Sequence, residues 1–371
     1  MDNSATTKVF EETAQKAVSF MVENYGNPSS LHTMGFKAKC ALDEAREIIS
    51  KSISAKPEEI YFTSGGTESN NLAIFGAAEA GKRNGRRIVT TEIEHPSVLA
   101  AMKDLERQGY EVEYLKPDSA GKITDDKLDA AIDDKTILVS LMMVNNETGT
   151  VLPTAQAGRI IRRKKSPALL HVDAVQGYMK LPLSPKKAGA DLISISGHKV
   201  HAPKGVGALY VSKNCRIKPQ QFGGGQENGL RSGTQAMPLI AAFGNAVEIM
   251  PPLSETQEKV RSLNETLRAG LLEFPEVKLH SQADGIANIV NFSAGKVRAE
   301  TMLHFLAQKG VYVSSGSACG RLKPSHVLTA MGIPKEEISS SLRVSFSHLN
   351  EMEDISALLS ALREGLDSLC S

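Results

Sequence analysis

The apolar run Asp191-Leu192-Ile193-Ser194-Ile195-Ser196 stops in Gly197-His198-Lys199, and that ending constrains the chain more than any other stretch. The run reads as a buried strand, and Gly197 permits a turn. A second apolar run, Ala208-Leu209-Tyr210-Val211, follows shortly after. A lysine at the mouth of a buried sheet is poorly explained by folding alone. Desolvation depresses its pKa and leaves part of it as the neutral amine that attacks carbonyls. Lys199 is therefore a candidate for Schiff-base chemistry. The plain alternative is a lysine snorkelling at a strand end.

Its company favours the chemical reading. Ala168-Leu169-Leu170-His171-Val172-Asp173 is a strand that ends in a carboxylate. Pyridoxal phosphate wants this pair: a lysine to carry its aldehyde as an imine, and an aspartate to keep the pyridine nitrogen protonated so that the ring acts as an electron sink. Two further strands end in the same manner. Thr136 to Val144 runs into Asn145-Asn146-Glu147, and Arg87-Ile88-Val89-Thr90-Thr91 leads through Glu94 to His95. Open parallel sheets bind ligands outside the carboxyl ends of their strands, so these endings predict one crevice.

A phosphate would find a cradle after the strand Glu59-Ile60-Tyr61-Phe62, in Thr63-Ser64-Gly65-Gly66-Thr67-Glu68. The glycines admit close approach, and the stretch opens a helix through Asn71 to Ala78 whose free amides face the anion. The stretch Gly223 to Thr234 is compatible with anion binding and equally with a plain loop. The dinucleotide spacing Gly-x-Gly-x-x-Gly is absent from the first strand-helix unit. Ser314-Ser315-Gly316-Ser317-Ala318-Cys319-Gly320 follows an expected strand, Val311-Tyr312-Val313. Cys319 among glycines and serines reads either as a reactive thiol or as an incidental loop cysteine.

With these motifs the sequence resembles the cysteine desulfurases of the aminotransferase class V superfamily, over nearly the whole chain. The residues that carry the resemblance are Asp2-Asn3-Ser4-Ala5-Thr6-Thr7, Tyr25-Gly26-Asn27-Pro28-Ser29-Ser30, Thr63 to Asn70, Glu94-His95, Val144 to Gly149, His171 to Gln176, Ser196 to Lys199, Arg231 to Thr234 and Ser314 to Cys319. The Ser-Ser-Gly-Ser-Ala-Cys run is similar to the branch that serves iron-sulfur cluster assembly and tRNA thiolation. The resemblance implies a fold-type I pyridoxal phosphate enzyme of α/β class, with a large, mostly parallel sheet wrapped by helices and a smaller α+β domain.

It also implies roles. Lys199 would hold the cofactor, Asp173 its pyridinium nitrogen and Gln176 its ring hydroxyl, while His95 would stack on the ring and move protons. Thr67, Ser196, His198 and the amide of Gly66 would hold the phosphate, with Thr234 reaching over from the second copy of a homodimer. Asn146, grouped with the cofactor contacts as well, and Arg343 would clamp the carboxylate of L-cysteine, a task that suits the planar arginine fork. Cys319 would attack the substrate sulfur, leaving alanine and a persulfide for a sulfur acceptor, either a cluster scaffold or a tRNA thiolation enzyme. The attacking group must be a thiolate, and His95 is a candidate for its deprotonation. Fewer residues stand between Cys319 and Pro324 than in relatives of this branch, which shortens the contour available to the thiol. The short strand that precedes the first motif in relatives is expected to be missing or nearly so, and the long tail by which relatives dock a cluster scaffold is expected to be lacking after the final helix. Rival readings are a selenocysteine lyase or another class V enzyme in which Cys319 is incidental, and a non-catalytic sulfur carrier.

Global properties agree with a soluble enzyme. At 371 residues and 41% hydrophobic the chain can bury two sizeable cores. A net charge of +1 gives no global pull toward nucleic acid or membrane. Cys40, Cys215, Cys319 and Cys370 lack metal-ligand spacing or a disulfide framework, and no signal peptide or long apolar run occurs, so a cytoplasmic enzyme without a metal is expected. Strands and helices alternate to about residue 245, and Pro251-Pro252 marks a boundary. The expected division is a large cofactor-binding lobe over residues 10–248 and a small lobe over 249–371 that also takes residues 1–9 and carries the Cys319 segment. Ser254 to Gln257 reads as a capping box for a helix bearing Val260, Leu263, Leu267 and Leu271. The last helix aligns Ile355, Leu358, Leu359, Leu362, Leu366 and Leu369 on a core-facing stripe. Arg162-Arg163-Lys164-Lys165 reads as a solvated helix end in preference to a nucleic-acid patch.

Overall fold

The computed structural model describes residues 1–315 and 324–369. Their strands form two sheets. The first contains β1 (Ile60–Thr63), β2 (Arg87–Thr91), β3 (Glu111–Leu115), β4 (Thr136–Met142), β5 (Leu169–Asp173), β6 (Leu192–Ser196) and β7 (Gly207–Val211), in the order β1-β7-β6-β5-β4-β2-β3. From β3 across to β6 every pairing is parallel, whereas β7 runs antiparallel to both β6 and β1. All residues of β4, β6 and β7 are buried, because helices cover both faces. That is why these strands read as continuous apolar runs rather than as alternating ones.

The two-residue period of the pleat sorts side chains between two cores. Leu192 of β6 joins Leu72, Ala73, Val98 and Met102 from the helices Gly66–Gly81 and Pro96–Arg107. Its neighbours Ile193 and Ile195 join the opposite, larger cluster with Leu42, Ile160 and Phe243. That larger cluster also takes Val327, Leu328, Met331 and Ile338 from the later part of the chain.

The second sheet is antiparallel throughout and contains β8 (Val277–Leu279), β9 (Ile289–Ala294), β10 (Ser314–Ser315) and β11 (Ser341–Ser345), in the order β10-β11-β9-β8. It packs its own core against the helices Leu253–Leu271, Ala299–Gln308 and Met352–Leu369. Ile355, Leu358, Leu362 and Leu366 are buried there, each worth roughly 1.5–3 kcal/mol on removal from water. Leu359 is partly buried, but Leu369 is exposed at the frayed end of the stripe.

Three local expectations need comment. The helix Leu253–Leu271 has no side-chain cap: Pro252 occupies the capping position, Ser254 is already inside the helix, and Gln257 instead donates to the Lys180 carbonyl at 2.9 Å. Val311-Tyr312-Val313 is not a strand. The Val311 amide bonds back to the Leu306 carbonyl to finish the preceding helix, and the ladder begins only where Ser314 and Ser315 face Arg343 and Leu342. The basic tract is indeed a helix end, with Arg163 paired to Asp129 and Lys164 donating to the Ile132 carbonyl at 3.0 Å. Among the described residues no helix is long and apolar enough to cross a membrane, and no His/Cys/Asp/Glu group could hold a metal ion.

Candidate active site

Parallel strands share a direction, so β2, β4, β5 and β6 deliver their polar ends to one rim. They border a cavity of about 390 Å³. Lys199, His95, Asp173, Gln176, Gly66, Thr67, Ser196, His198, Asn146 and Arg343 all line it. Thr234 is exposed and is not part of its wall, and Cys319 lies outside the described residues.

Lys199 sits on a single helical turn, Gly197–Lys199, directly after β6. Its ammonium donates to the carbonyl of Ser4 and, at 2.8 Å, to that of Ala5. Burial, reinforced by the Arg343 charge, lowers its pKa to about 8 against the opposing pull of Asp2 and Asp173. A usable fraction of free amine is therefore present near neutral pH. The Asp173 carboxylate has both oxygens engaged: Oδ1 accepts from the Val175 amide at 3.0 Å and Oδ2 from Asn70 Nδ2 at 2.7 Å. Gln176 Nε2 donates to the Ser4 carbonyl at 3.0 Å, while its Oε1 accepts from Lys180 at 3.3 Å.

His95 caps the helix Pro96–Arg107. Its Nδ1 receives the Ser97 amide at 3.1 Å and lies 2.8 Å from the Ser97 hydroxyl. Burial lowers its pKa, so the ring is neutral. His198 is also neutral, its pKa pushed down to about 4 by burial and then by Lys199. Glu94, fully buried beside His95, is pushed up to about 8 by desolvation, which keeps it protonated at neutral pH.

The wall formed by the helix Gly66–Gly81 is suited to an anion. No side chain caps this helix, and Gly65, at φ 150°, turns the chain so that the first amides are left free. The approach is close: a Cβ on Gly207 would stand 2.7 Å from the Gly65 Cα. Ser196 Oγ, buried in the same wall, has no hydrogen-bond partner. An orphaned hydroxyl beside an uncapped helix end suits phosphate oxygens as partners. With an amine of lowered pKa and a fixed carboxylate in the same cavity, the residues fit pyridoxal phosphate.

Arg343 comes from the second sheet and is 2% exposed. Nη1 donates to the Asn146 carbonyl and Nη2 to Asp2 Oδ1, each at 3.0 Å, while Nε is buried without a partner. The described flanks of the Cys319 segment lie close by. Ser315 pairs with Leu342, and the Ser325 hydroxyl donates to the buried carboxylate of Glu147. The stretch containing Thr234 is anchored through Arg46 to Glu227, whose Oε2 also accepts the Phe62 amide at 2.8 Å, and through Arg231 to Glu68 at 2.7 Å.

Sequence reading assigned no role to Asn70, Ser97 or Asp2, although all three lie in or beside the site. Asn70 was findable, since it stands four residues after Gly66 on the same helix face. Asp2 was not, because nothing local points to a partner more than three hundred residues away.

Comparison with known proteins agrees with this geometry. The chain matches the aminotransferase class V family over residues 1–358. It is 42% identical to the cysteine desulfurase IscS of Methanosarcina thermophila, across 100% of this chain and 92% of that protein. Among solved structures, a NifS-like protein superposes with a TM-score of 0.93 at 38% identity, covering 99% of this chain and 98% of that one. A structure described as SspA in complex with cysteine reaches a TM-score of 0.83 at 34% identity, over 93% of this chain and 97% of that one.

Proposed function

The chain belongs to the aminotransferase class V family, among its cysteine desulfurases, and on that premise we propose that Lys199 anchors pyridoxal phosphate and that Cys319 receives the sulfur of L-cysteine. The thiolate of Cys319 attacks the substrate sulfur, the carbon–sulfur bond breaks, and L-alanine leaves with an enzyme persulfide behind it. The observation that carries the reading is the convergence of Lys199, Asp173, His95 and Arg343 on one cavity. Pyridoxal phosphate supplies an aldehyde for the substrate amine and a ring that takes up electron density.

This chain's residues do the remaining work. Gly66, Thr67, Ser196 and His198 hold the phosphate, Asp173 the ring nitrogen and Gln176 the ring hydroxyl. Arg343, with Asn146, takes the substrate carboxylate, its guanidinium already fixed by Asp2. The free amine of Lys199 moves the α proton, and His95 moves a proton at its Nε2. The positions of Ser315 and Ser325 support delivery by Cys319, since both flanks start beside Arg343 and Glu147.

The wider setting follows from the same reading. Thr234 belongs to the second site of a homodimer, a view supported by its exposure outside the wall of its own cavity and by the exposed Tyr25, Leu31, Phe36 and Phe222. The two sheets correspond to lobes over residues 10–248 and over 249–371 with 1–9, with Val327, Leu328, Met331 and Ile338 of the second stretch packed into the core of the first. The acceptor is a cluster scaffold or a tRNA thiolation enzyme, and the enzyme works in the cytoplasm. Replacing Cys319 with serine tests the central claim. The purified variant is expected to stay yellow and bind cysteine while sulfide and persulfide formation fall by about a hundredfold or more. Undiminished sulfide from a yellow Cys319→Ser protein would overturn it.

A further inference from the structure

We propose that Asn70 is a positioning residue that ties the carboxylate of Asp173 to the ring of His95 through Ser97, and so fixes His95 in the tautomer that carries its proton on Nε2. The inference deepens the site reading above and rests on it for its catalytic meaning. Its geometry is independent of any bound group.

Both hydrogens of the Asn70 amide are committed. One goes to Asp173 Oδ2 at 2.7 Å and the other to Ser97 Oγ at 2.9 Å. A carboxylate can only accept, so the amide must present nitrogen, not oxygen, to Asp173. The cost of that orientation is visible: Asn70 Oδ1 is buried with no partner. Leaving a buried acceptor unpaired is unfavourable, and packing alone gives no reason to bear it.

The orientation propagates. Having accepted from Asn70, the Ser97 hydroxyl has its own hydrogen free, and His95 Nδ1 lies 2.8 Å away. The Ser97 amide also points at Nδ1, at 3.1 Å. The amide can only donate, so Nδ1 accepts and holds no hydrogen, and the Ser97 hydroxyl, whose oxygen already takes an Asn70 hydrogen, is left to donate to the same nitrogen. Nε2 must carry the proton of the neutral ring, since the ring's hydrogen bonds to the described residues fall on Nδ1, and His95 lines the cavity. Resting His95 is thus a proton donor toward the cavity, and it becomes a base only after giving that proton up. This changes the reading in which His95 begins by deprotonating Cys319.

The test uses the full-length protein freed of cofactor and labelled at its histidines. The His95 ring nitrogens, identified by their loss in His95→Asn, are expected to give the NMR pattern of a neutral ring protonated at Nε2. Ser97→Ala leaves only the amide on Nδ1 and is expected to bring in a measurable Nδ1-protonated population. Asn70→Leu is expected to do the same, and in addition to weaken pyridoxal phosphate binding about tenfold, whereas Ser97→Ala changes that affinity less than about twofold. A wild-type ring protonated at Nδ1, or a Ser97→Ala protein with an unchanged tautomer, overturns the proposal even if Asn70→Leu fails to fold. Unchanged cofactor affinity in folded Asn70→Leu overturns the link to Asp173. None of these readouts depends on whether the enzyme desulfurates cysteine, so the two readings fail separately.

Discussion

The two sheets feed the same cavity in different ways. The seven-stranded sheet contributes at its rim, where β2, β4, β5 and β6 all end, so a strand can be apolar along its length and chemical only at its last residue. The four-stranded sheet contributes through one face in mid-strand. Leu342 and Val344 of β11 enter the apolar core, while Ser341, Arg343 and Ser345 point the other way, to Asn291, to Asn146 and Asp2, and to Ser4 respectively. A rim gathers many small contributions and tolerates the loss of one contact. A face offers one long side chain, and its charge is buried, so errors there are expensive.

The contrast is sharpest if rim and face are cut separately. Lys199→Ala removes the one rim group that no neighbour replaces, and the expected result is loss of the yellow colour and a fall in turnover of at least ~1,000-fold, the order that acid-base and nucleophilic roles carry together. Retained colour and activity would show that the rim does not work as described. Arg343→Lys keeps the charge and loses the fork, so KM for cysteine is expected to rise about 10- to 100-fold while cofactor affinity stays near wild type. If cofactor affinity falls as far as substrate affinity, the face serves the whole site and the division is false.

The pH dependence of the rim gives a smaller, graded effect. With the Lys199 pKa lowered to about 8, uptake of pyridoxal phosphate by the apoprotein is expected to rise roughly tenfold per pH unit below 8 and to level off above it. The folded chain then holds fewer protons than the unfolded one between pH 8 and the ordinary lysine range. This group's burial therefore costs stability below about 8, and the cost is relieved as pH rises. A stopped-flow profile that keeps climbing to pH 10 would place the amine in water. Smallest is Ser196→Ala, which removes one of several proposed phosphate contacts and is expected to weaken cofactor binding about three- to tenfold by equilibrium titration. No change would mean that its orphaned hydroxyl faces nothing.

The same contrast governs what was legible in the sequence. Rim residues announce themselves, because a polar group that halts an apolar run is visible in one dimension: Lys199, Asp173 and His95 were read in this way, and all three line the cavity. Of the seven strands in the large sheet, β3 was missed; Glu111 to Tyr114 are wholly or partly exposed, with glutamates at alternate positions and only Leu115 buried, so it lacks the apolar signature of its neighbours. Arg343 came only through family resemblance, since an arginine in mid-strand has no local signal of a ligand. The expected strand at Val311 to Val313 failed because apolar composition cannot distinguish a ladder from a helix exit. The capping box failed because Pro252 had already set the helix start.

The segment Asn3 to Ala5 bears on how the enzyme comes into being, because its partners are far away in sequence. Ser4 donates its amide to Ser345 Oγ at 2.8 Å, Asn3 Nδ2 reaches the Ser345 carbonyl at 2.9 Å, and the carbonyls of Ser4 and Ala5 receive Lys199. Ser345 is synthesised 341 residues after Ser4, at roughly 5–20 residues per second, so the Ser4 segment waits tens of seconds for its partner. The large sheet can form during that interval, but the environment that tunes Lys199 cannot. The surroundings that tune Lys199 are therefore complete only after Arg343 and Ser345 have been made and have met the Asp2 to Ala5 segment.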